Sequence, residues 1–314
     1  MARNGAPRHS LPMRRFLIAL LLISTLAWFA SAQSANAAAS PLGLYFDNSF
    51  NNITDYYHPG ALLVAGNCNR YDERFQAARA AGAEVIAYFN PIEIYDRLPC
   101  KLNQEFYMGD RNKVPLWPFP SPGVRTQWPH TRMVDLRAGS VWSNYMVDYI
   151  TKLMREGQFD GVFLDNIGSR LWDRARWKEW PKEEQDAWME GSIDFVRRLY
   201  EARQQIDPDF IIVTNGTWDL SNGDKRGFEG EKYVDGVMLE HRKPNSYQLK
   251  YAARPFGDGR HRRVLVMAND EEEAQQWANA PGVTHVASQK KYDHPGKPLV
   301  PFNPRRDRKH HDRD

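Results

Sequence analysis

The sequence has few of the residues and motifs that mark cofactor-dependent or metal-dependent enzymes. Among 314 residues there are only two cysteines, Cys68 and Cys100. There is no Walker loop, no G-x-G-x-x-G after a strand, no G-x-S-x-G nucleophile elbow and no H-E-x-x-H zinc motif. We therefore expect no cofactor and no metal. In an exported protein the two cysteines would form one disulfide, and the alternative is two unpaired thiols.

The chain also lacks an excess of charge of either sign. It has 42 basic and 39 acidic residues. Four of the basic residues lie in the first 37 positions, which hold no acidic residue, so 38 basic and 39 acidic residues follow them. A nearly neutral chain without a basic stripe lacks the electrostatic footprint of a phosphate binder, so no nucleic-acid partner is expected.

No apolar run reaches the length of a typical membrane span. The longest, Phe16–Ala30, has about 15 residues, whereas a transmembrane helix needs about 20. Two arginines precede it, and A-x-A cleavage patterns follow at Ala30–Ala32 and Ala35–Ala37. Residues 1–37 are therefore predicted to be a secretory signal peptide, with a retained anchor as the alternative. The protein is expected to be secreted or periplasmic, or associated with the cell surface, without stable membrane insertion after cleavage.

The mature region repeats one pattern, a short apolar run followed by an amphipathic stretch. Eight runs occur: 42–46, 61–64, 85–89, 161–164, 211–213, 236–239, 264–267 and 283–287. Most are continuously apolar, as in a parallel sheet whose strands are buried on both faces. Helical patterns lie between most of them, at 72–81, 142–155, 183–205, 247–253 and 271–278, and Gly82 and Gly157 are placed to end the first two.

Strands that alternate with helices indicate an α/β fold built from βαβ units. Eight strands over about 245 residues have the count and length of a (β/α)8 TIM barrel, and a doubly wound open sheet is the alternative. Residues 38–300 are predicted to form this barrel, and the charged tail 301–314 is expected to be disordered. The connection from residue 91 to residue 132 is long and rich in proline and aromatic residues, and it reads as neither helical nor extended. Such a loop is usually functional.

Polar side chains cluster where the apolar runs end. The residues at or just after the ends are Asp47, Gly66, Asn90, Asp165, Asn215, Glu240, Asn269 and Ser288. Active sites of TIM barrels lie at this face. Asp165 and Glu240 follow the fourth and sixth runs, about a quarter turn apart on a barrel, so their carboxyl groups should converge over its mouth. Two facing carboxyl groups are what glycosidic bond cleavage needs. The alternatives are a loop cap for Asp165 and an ion pair with His241 for Glu240.

The segment Phe159-Asp160-Gly161-Val162-Phe163-Leu164-Asp165-Asn166 resembles secreted TIM-barrel glycoside hydrolases. The resemblance is to glycoside hydrolase family 114, the endo-α-1,4-N-acetylgalactosaminidase or polygalactosaminidase family, and its glycosyl-hydrolase-like relatives. Supporting segments are Ala87–Asn90 with Glu93, and Val134–Arg137 before a helix. The resemblance covers roughly residues 42–290. Where that family usually has a glycine-glutamate step after the third strand, this chain has Asn90-Pro91-Ile92-Glu93.

The resemblance implies a nucleophile or base at Asp165 and a general acid at Glu240, acting on an α-linked polysaccharide with galactosamine or galactose units. Asp160 and Asp235 precede their strands and are expected to have structural roles on the opposite rim. The residues expected to bind sugar are Tyr45, Asp47, Asn90, Glu93, Asn166, Asn215, Trp218, His241 and Asn269, with Trp117, Trp128 and Trp172 as further stacking candidates.

Two other functions fit the same sequence. One is a catalytically silent carbohydrate-binding barrel at the cell surface, and the other is a metal-dependent polysaccharide deacetylase-type hydrolase. In each case the partner is a polysaccharide or oligosaccharide, and the protein is expected to be a monomer.

Overall fold

The computed structural model describes residues 42–47, 53–66, 72–95, 107–120, 130–171, 174–215, 218, 227–240, 242–254 and 262–288. They belong to one compact unit, residues 40–314. The strands are β1 (Leu42–Asp47), β2 (Leu62–Gly66), β3 (Glu84–Phe89), β4 (Glu93–Tyr95), β5 (Thr131–Met133), β6 (Gly161–Asp165), β7 (Ile211–Asn215), β8 (Gly236–Leu239), β9 (Arg263–Ala268) and β10 (His285–Ser288). The helices are α1 (Glu73–Ala80), α2 (Val141–Glu156), α3 (Arg174–Glu179), α4 (Lys182–Ile206), α5 (Gly227–Glu231), α6 (Tyr247–Ala252) and α7 (Glu271–Ala278).

Eight of the strands close into a parallel barrel. Their order around it is β1, β2, β3, β6, β7, β8, β9 and β10, and β10 pairs with β1 to complete the ring. This confirms the (β/α)8 barrel and excludes the open sheet. Each of the eight apolar runs is a barrel strand, because a strand that faces side chains inside the ring and helices outside it must be apolar on both faces.

The two faces of each strand belong to two different cores. Inside the ring, side chains from seven strands pack together: Leu62, Val64, Ile86, Phe163, Ile211, Val213, Met238, Leu265 and Ala287. The alternate residues face the helices; in β6, for example, Val162 and Leu164 lie in the outer core. The barrel centre is thus filled, and polar chemistry is restricted to its two ends.

Local sequence signals set the helix ends. Ser140 caps α2 by accepting a hydrogen bond from the Ser143 amide, and Gly157 ends that helix with a φ of 63°. Asp72 and Asp270 cap α1 and α7 in the same way. Gly82, with a φ of 93°, follows α1 as predicted. Two short helices, α3 and α5, were not predicted, since six and five residues give too little periodicity to recognise.

Gly161 and Gly236 begin two barrel strands where the backbones approach closely. A Cβ on Gly161 would lie 2.3 Å from the Ile211 carbonyl oxygen, and one on Gly236 would lie 2.3 Å from that of Arg263. Both distances are far inside van der Waals contact. Only glycine therefore allows these strands their observed pairing.

The amino-terminal rim of the barrel is held by ion pairs. Arg79 binds Asp160 at 2.8 Å, and Arg203 binds Asp235. A carboxylate oxygen of each aspartate also accepts a backbone N–H from the start of a neighbouring strand, at 2.8 Å in both cases. These contacts confirm the structural role expected for Asp160 and Asp235 at the rim opposite the predicted active site.

The connection after β3 contains more regular structure than its sequence indicated. Its first part forms β4, which pairs antiparallel with β5 at the far end of the connection, with Glu93 opposite Met133. Further along, the ring of Trp117 stacks on Trp180 at 5.6 Å and contacts Trp188 at 5.5 Å. The connection is therefore anchored on the helices that follow β6, the strand that ends at Asp165.

Several predictions concern residues outside those that the structure describes. They are the signal peptide at residues 1–37, the tail at 301–314 and the pairing of Cys68 with Cys100. Among the helices that are described, none combines the length and the apolar character needed to cross a membrane.

Candidate active site

The carboxyl ends of three neighbouring barrel strands bring polar side chains together. Asp165 and Asn215 are the last residues of β6 and β7 and pair with each other in register. Glu240 follows the last residue of β8, which is the next strand around the ring. Tyr88 belongs to β3, on the other side of β6. The expected placement of Asp165 and Glu240, two strands apart at one rim, is therefore found.

The Asp165 carboxylate is held on both oxygens. The Tyr88 hydroxyl donates to Oδ2 at 2.5 Å, and the Asn215 amide donates to Oδ1 at 2.8 Å. The backbone N–H of Asn166 makes a further hydrogen bond to the carboxylate. Asn166 has a φ of 59°, in the left-handed region that asparagine tolerates better than most residues. Three donors from three places fix the orientation of the carboxylate plane.

The electrostatics of Asp165 are dominated by burial. The pKa of its carboxyl group is raised to about 6, chiefly by burial and to a smaller extent by the negative charge of Glu240. The hydrogen bonds from Tyr88, Asn215 and Asn166 oppose this rise because they favour the ionised form. The influence of Glu240 requires its carboxylate to lie near Asp165, and a pKa near neutrality is typical of catalytic carboxyl groups.

Sequence reasoning missed Tyr88 and Tyr95 as residues of this site. The Tyr95 side chain, on β4, lies near the phenol of Tyr88. Burial, reinforced by nearby carboxylates, raises the pKa of each phenol well above its ordinary value, so both remain protonated. Tyr88 was quoted only as part of the Ala87–Asn90 segment. Side chains two residues apart in a strand face the same way, and Ile86 faces the inside of the barrel. The sequence could therefore have indicated that Tyr88 also faces inward.

Asn90 and Glu93 were expected to bind sugar, but the structure shows both side chains buried and in contact with each other. Asn90 is 5% exposed and Glu93 is 1% exposed. The Asn90 amide donates to Glu93 Oε2 at 2.9 Å, and its oxygen accepts from the Ile92 amide at 3.4 Å. The pair stabilises the turn from β3 into β4 and does not reach solvent.

Two of the predicted stacking rings are also in the core. Trp218 is 1% exposed, and its indole N–H donates to the Thr214 hydroxyl at 3.1 Å. Trp117 is fully buried and donates to Glu184 at 3.1 Å. Neither ring presents a face to solvent, so the prediction that they stack on sugar is wrong for this structure. A tryptophan near a strand end packs as readily inward as outward, and its sequence position does not distinguish the two.

The remaining residues that were predicted to bind sugar are exposed, lie in β1 or fall outside the described residues. Asn269 is exposed at the end of β9 and contacts Glu273 of α7 through both its backbone and side-chain nitrogens, at 2.8 and 2.7 Å. Tyr45 and Asp47 lie in β1, in register with Leu63 and Ala65 of β2. The remaining three residues, His241, Trp128 and Trp172, lie outside the described part of the chain.

Within the part of the chain that the structure describes, no group of three or more histidine, cysteine, aspartate or glutamate side chains is arranged to hold a metal ion. The polar groups that converge at the barrel mouth are two carboxyl groups, an amide and two phenols. This set can donate and accept protons and bind hydroxyl groups without a metal.

A closed parallel barrel with two carboxyl groups at the carboxyl-end rim has the architecture of a TIM-barrel glycoside hydrolase. The comparison with family models makes the assignment specific. The chain belongs to glycoside-hydrolase family GH114, whose model matches residues 29–240. The match begins before β1 and ends on Glu240, so it includes both predicted catalytic positions. The protein is therefore a glycosidase.

Solved structures support the fold. The chain is similar to a variant of the glycoside hydrolase domain of PelA from Pseudomonas aeruginosa, with 12% identity, a TM-score of 0.52 and coverage of 82% of this chain and 98% of that domain. It is also similar to Ega3 from Aspergillus fumigatus, solved in complex with galactosamine, with 14% identity, a TM-score of 0.51 and coverage of 79% and 91%. A search of curated proteins gave no match.

Proposed function

We propose that the protein is a secreted enzyme that cleaves an α-linked polysaccharide containing galactosamine or galactose units, using Asp165 and Glu240. The observation that carries the proposal is the Asp165 carboxylate, held by three donors at the barrel mouth and influenced by the charge of Glu240. Membership of the family supports the reaction class. The leader pattern of residues 1–37 supports export.

The two carboxyl groups have complementary tasks. Asp165 in its ionised form attacks the anomeric carbon or activates a water, and Glu240 protonates the departing glycosidic oxygen. The negative charge of Glu240 disfavours ionisation of Asp165, so the charge on Asp165 depends on the hydrogen bonds that it accepts. The hydrogen bonds from Tyr88 and Asn215 stabilise the charge on Asp165, which favours its role as the ionised partner.

The substrate class rests on the family and on one structural relative. Ega3 was solved with galactosamine, which makes an α-1,4-linked galactosamine polymer the first substrate to test. The exposed face of Asn269 and the Asn215 amide are the described polar groups expected to contact sugar hydroxyls at this rim. The enzyme is expected to act as a monomer on a polysaccharide or oligosaccharide.

The test compares hydrolysis by the wild type with that by Asp165→Asn and Glu240→Gln. Release of reducing ends from α-1,4-polygalactosamine should fall by more than about 100-fold in each variant. Asp209→Asn and Glu272→Gln are matched controls, because they make the same chemical changes at exposed positions. Full activity in either site variant would remove that residue from the mechanism.

The same experiment separates the two alternatives. A silent carbohydrate-binding barrel would bind the polymer without releasing reducing ends, and neither site substitution would alter any rate. A deacetylase-type hydrolase would release acetate from an N-acetylated polymer and would lose that activity with a chelator. If reducing ends are released, the product anomer seen by NMR immediately after cleavage distinguishes retention from inversion.

A further inference from the structure

The two side chains that donate to Asp165 come from the two strands that flank it in the barrel. Tyr88 lies on β3 and Asn215 on β7, and β6 lies between these strands. We propose that Tyr88 and Asn215 are positioning residues that together clamp the Asp165 carboxylate, with one donor on each oxygen. Both act through Asp165, so the inference rests on its proposed catalytic role, although the central measurement needs no enzymatic activity.

The direction of the three side chains follows from the alternation of residues along a strand. Phe163 of β6 and Val213 of β7 pack inside the barrel. The residue two positions further along each strand faces the same way, which directs Asp165 and Asn215 inward at the mouth. The same alternation directs Tyr88 inward from β3. All three side chains are thus carried by barrel strands, which hold a site more precisely than loops do.

The length of each donor matches its place in the strand register. Asn215 pairs directly with Asp165, and its short amide reaches Oδ1 at 2.8 Å. Tyr88 pairs with Phe163, two residues before Asp165, so its side chain has to reach along the neighbouring strand. The long phenol does so and donates to Oδ2 at 2.5 Å, while its ring stacks on Phe163 with centroids 5.9 Å apart. The register therefore calls for a long donor on one side and a short donor on the other.

The two donors differ in what they have left for a substrate. A tyrosine hydroxyl has one proton, and an ionised carboxylate can only accept, so the hydroxyl proton of Tyr88 is used by Asp165. An asparagine amide has two N–H groups and an oxygen. One N–H of Asn215 is used by Asp165, and the rest of the amide is available to a sugar hydroxyl. Tyr88 therefore donates to Asp165 alone, whereas Asn215 can contact both Asp165 and a sugar.

The surroundings of Asp165 explain why the carboxylate needs two side-chain donors. Burial raises the pKa of its carboxyl group, and the charge of Glu240, which follows β8, acts in the same direction. The hydrogen bonds of the clamp and the backbone N–H of Asn166 lower the pKa because they favour the ionised form. The clamp thus counteracts the desolvation that the barrel mouth imposes on this carboxylate.

Tyr88 stays protonated over the whole pH range in which Asp165 titrates. Burial raises the pKa of its phenol well above the ordinary value, and the charges of Asp165 and of Glu93 on β4 reinforce the rise. The nearby phenol of Tyr95 also has a raised pKa, chiefly through burial. A neutral donor stabilises the charge of Asp165 without adding a charge of its own, so the carboxyl group remains sensitive to burial.

The central experiment follows the titration of Asp165 directly, without substrate. The protein is labelled with carbon-13 at its aspartate carboxyl groups, and the resonance missing from Asp165→Asn is that of Asp165. Its chemical shift is followed by NMR from about pH 4 to about pH 9, a range that brackets the raised pKa. The proteins compared are the wild type, Tyr88→Phe, Asn215→Leu and the double variant. Phenylalanine keeps the ring and leucine keeps the approximate shape, and each removes only the donor.

Two matched controls make the same chemical changes away from the site. Tyr200→Phe removes the hydroxyl of a partly buried tyrosine whose ring contacts Tyr233. Asn144→Leu removes an exposed amide on α2 that donates to the Gly139 carbonyl. Both controls should leave the pKa of Asp165 at its wild-type value.

Both clamp variants should raise the pKa of Asp165. Tyr88→Phe should raise it by about one pH unit, because a donor to the charged form is lost. Asn215→Leu should raise it by less, since its hydrogen bond is longer. The double variant should show a larger rise than either single variant, because each single variant keeps the donor on the other oxygen.

An unchanged pKa of Asp165 in both single variants would overturn the clamp. A rise in only one of them would overturn its two-sided form, and so would a double variant that matches the larger single change. The titration is read from the folded protein, so a uniform loss of stability does not imitate the expected rise. If Asn215→Leu does not fold, Asn215→Ala removes the same donor and takes its place.

The pH profile of hydrolysis separates the clamp from the proposed function. Because kcat/KM reports ionisation in the free enzyme, Tyr88→Phe should lower it about tenfold at pH 5 and much less at pH 8 on α-1,4-polygalactosamine. A residue that only contacts sugar would change KM without moving the acidic limb of the profile. If Asp165→Asn remains fully active, the proposed catalytic role fails, while the carbon-13 titration still decides whether the clamp exists.

Discussion

Replacing Asp165 with asparagine should stabilise the protein at neutral pH. The carboxyl group is ionised at pH 7 although burial disfavours its charge, and its folded-state pKa is about 6. An unfolded aspartate has a pKa of about 4, so the charged form costs about 3 kcal/mol in the folded state. Asparagine has nearly the same shape and carries no charge, and it removes this cost.

Part of the gain is lost because asparagine has one acceptor oxygen. Tyr88 and Asn215 donate to separate oxygens of Asp165, and one of them loses an acceptor in the variant. A lost hydrogen bond costs about 1 kcal/mol. The expected net stabilisation is therefore about 2 kcal/mol at pH 7, which corresponds to a Tm increase of roughly 4–6 °C for a domain of this size.

The stability difference between the two proteins should depend on pH, because it follows the ionisation of Asp165. A raised folded-state pKa means that the protonated aspartate contributes stability below about pH 4, and that this contribution is lost as the pH rises through about 6. The advantage of the variant should therefore be absent at pH 4 and grow to its full size by pH 7 to 8.

The assay is urea denaturation of both proteins across this pH range, with Asp209→Asn as the control for loss of an exposed charge. Taking the difference between two proteins removes the titrations that they share. A difference independent of pH, or a variant that is less stable than the wild type at pH 7, would refute the reasoning that burial dominates the energetics of Asp165.

Three further predictions concern the framework. Gly161→Ala should destabilise the barrel by about 2–3 kcal/mol, because its Cβ would lie 2.3 Å from the Ile211 carbonyl oxygen, and an unchanged denaturation midpoint would contradict the close strand pairing. Trp218→Ala should lower stability by about 3–5 kcal/mol, since the ring is 1% exposed; a raised KM with normal stability would instead indicate a sugar-stacking ring. Burial and the charge of Arg263 lower the pKa of His285 to about 3, so the wild type should lose stability as the pH falls from about 6.5 towards 3. His285→Gln should flatten that decline, and a decline of the same slope in the variant would exclude His285 as its source.

The catalytic candidates could be predicted because they follow directly from local pattern. Asp165 and Glu240 each follow a run of apolar residues, and in a parallel barrel the carboxyl ends of all strands lie at one rim. Counting strands then gives their angular separation. The same local signals placed Gly157 at the end of α2 and the structural aspartates Asp160 and Asp235 at the opposite rim.

Other parts of the site could not be predicted, since they depend on packing between distant segments. Tyr88 and Asp165 are 77 positions apart, and their contact requires both the pairing of β3 with β6 and the inward direction of both side chains. Tyr95 lies on β4, which belongs to the separate two-stranded sheet with β5 and was not predicted as a strand. The predicted stacking role of Trp218 was wrong for a related reason. The exposure of a tryptophan ring depends on which other segments of the chain pack against it, and the local sequence does not specify them.

The sequence by itself determined the number of barrel strands, their order along the chain and the identity of the residue at the end of each. These properties come from the hydrophobic pattern and from the glycine, proline and polar residues that end each element, and both act over a few residues. Tertiary structure alone decided which donors hold Asp165, which tryptophans are inaccessible to sugar and how far burial raises the pKa of Asp165. Desolvation and hydrogen-bond geometry depend on every atom within a few ångströms, and the closed barrel draws those atoms from segments far apart in the chain.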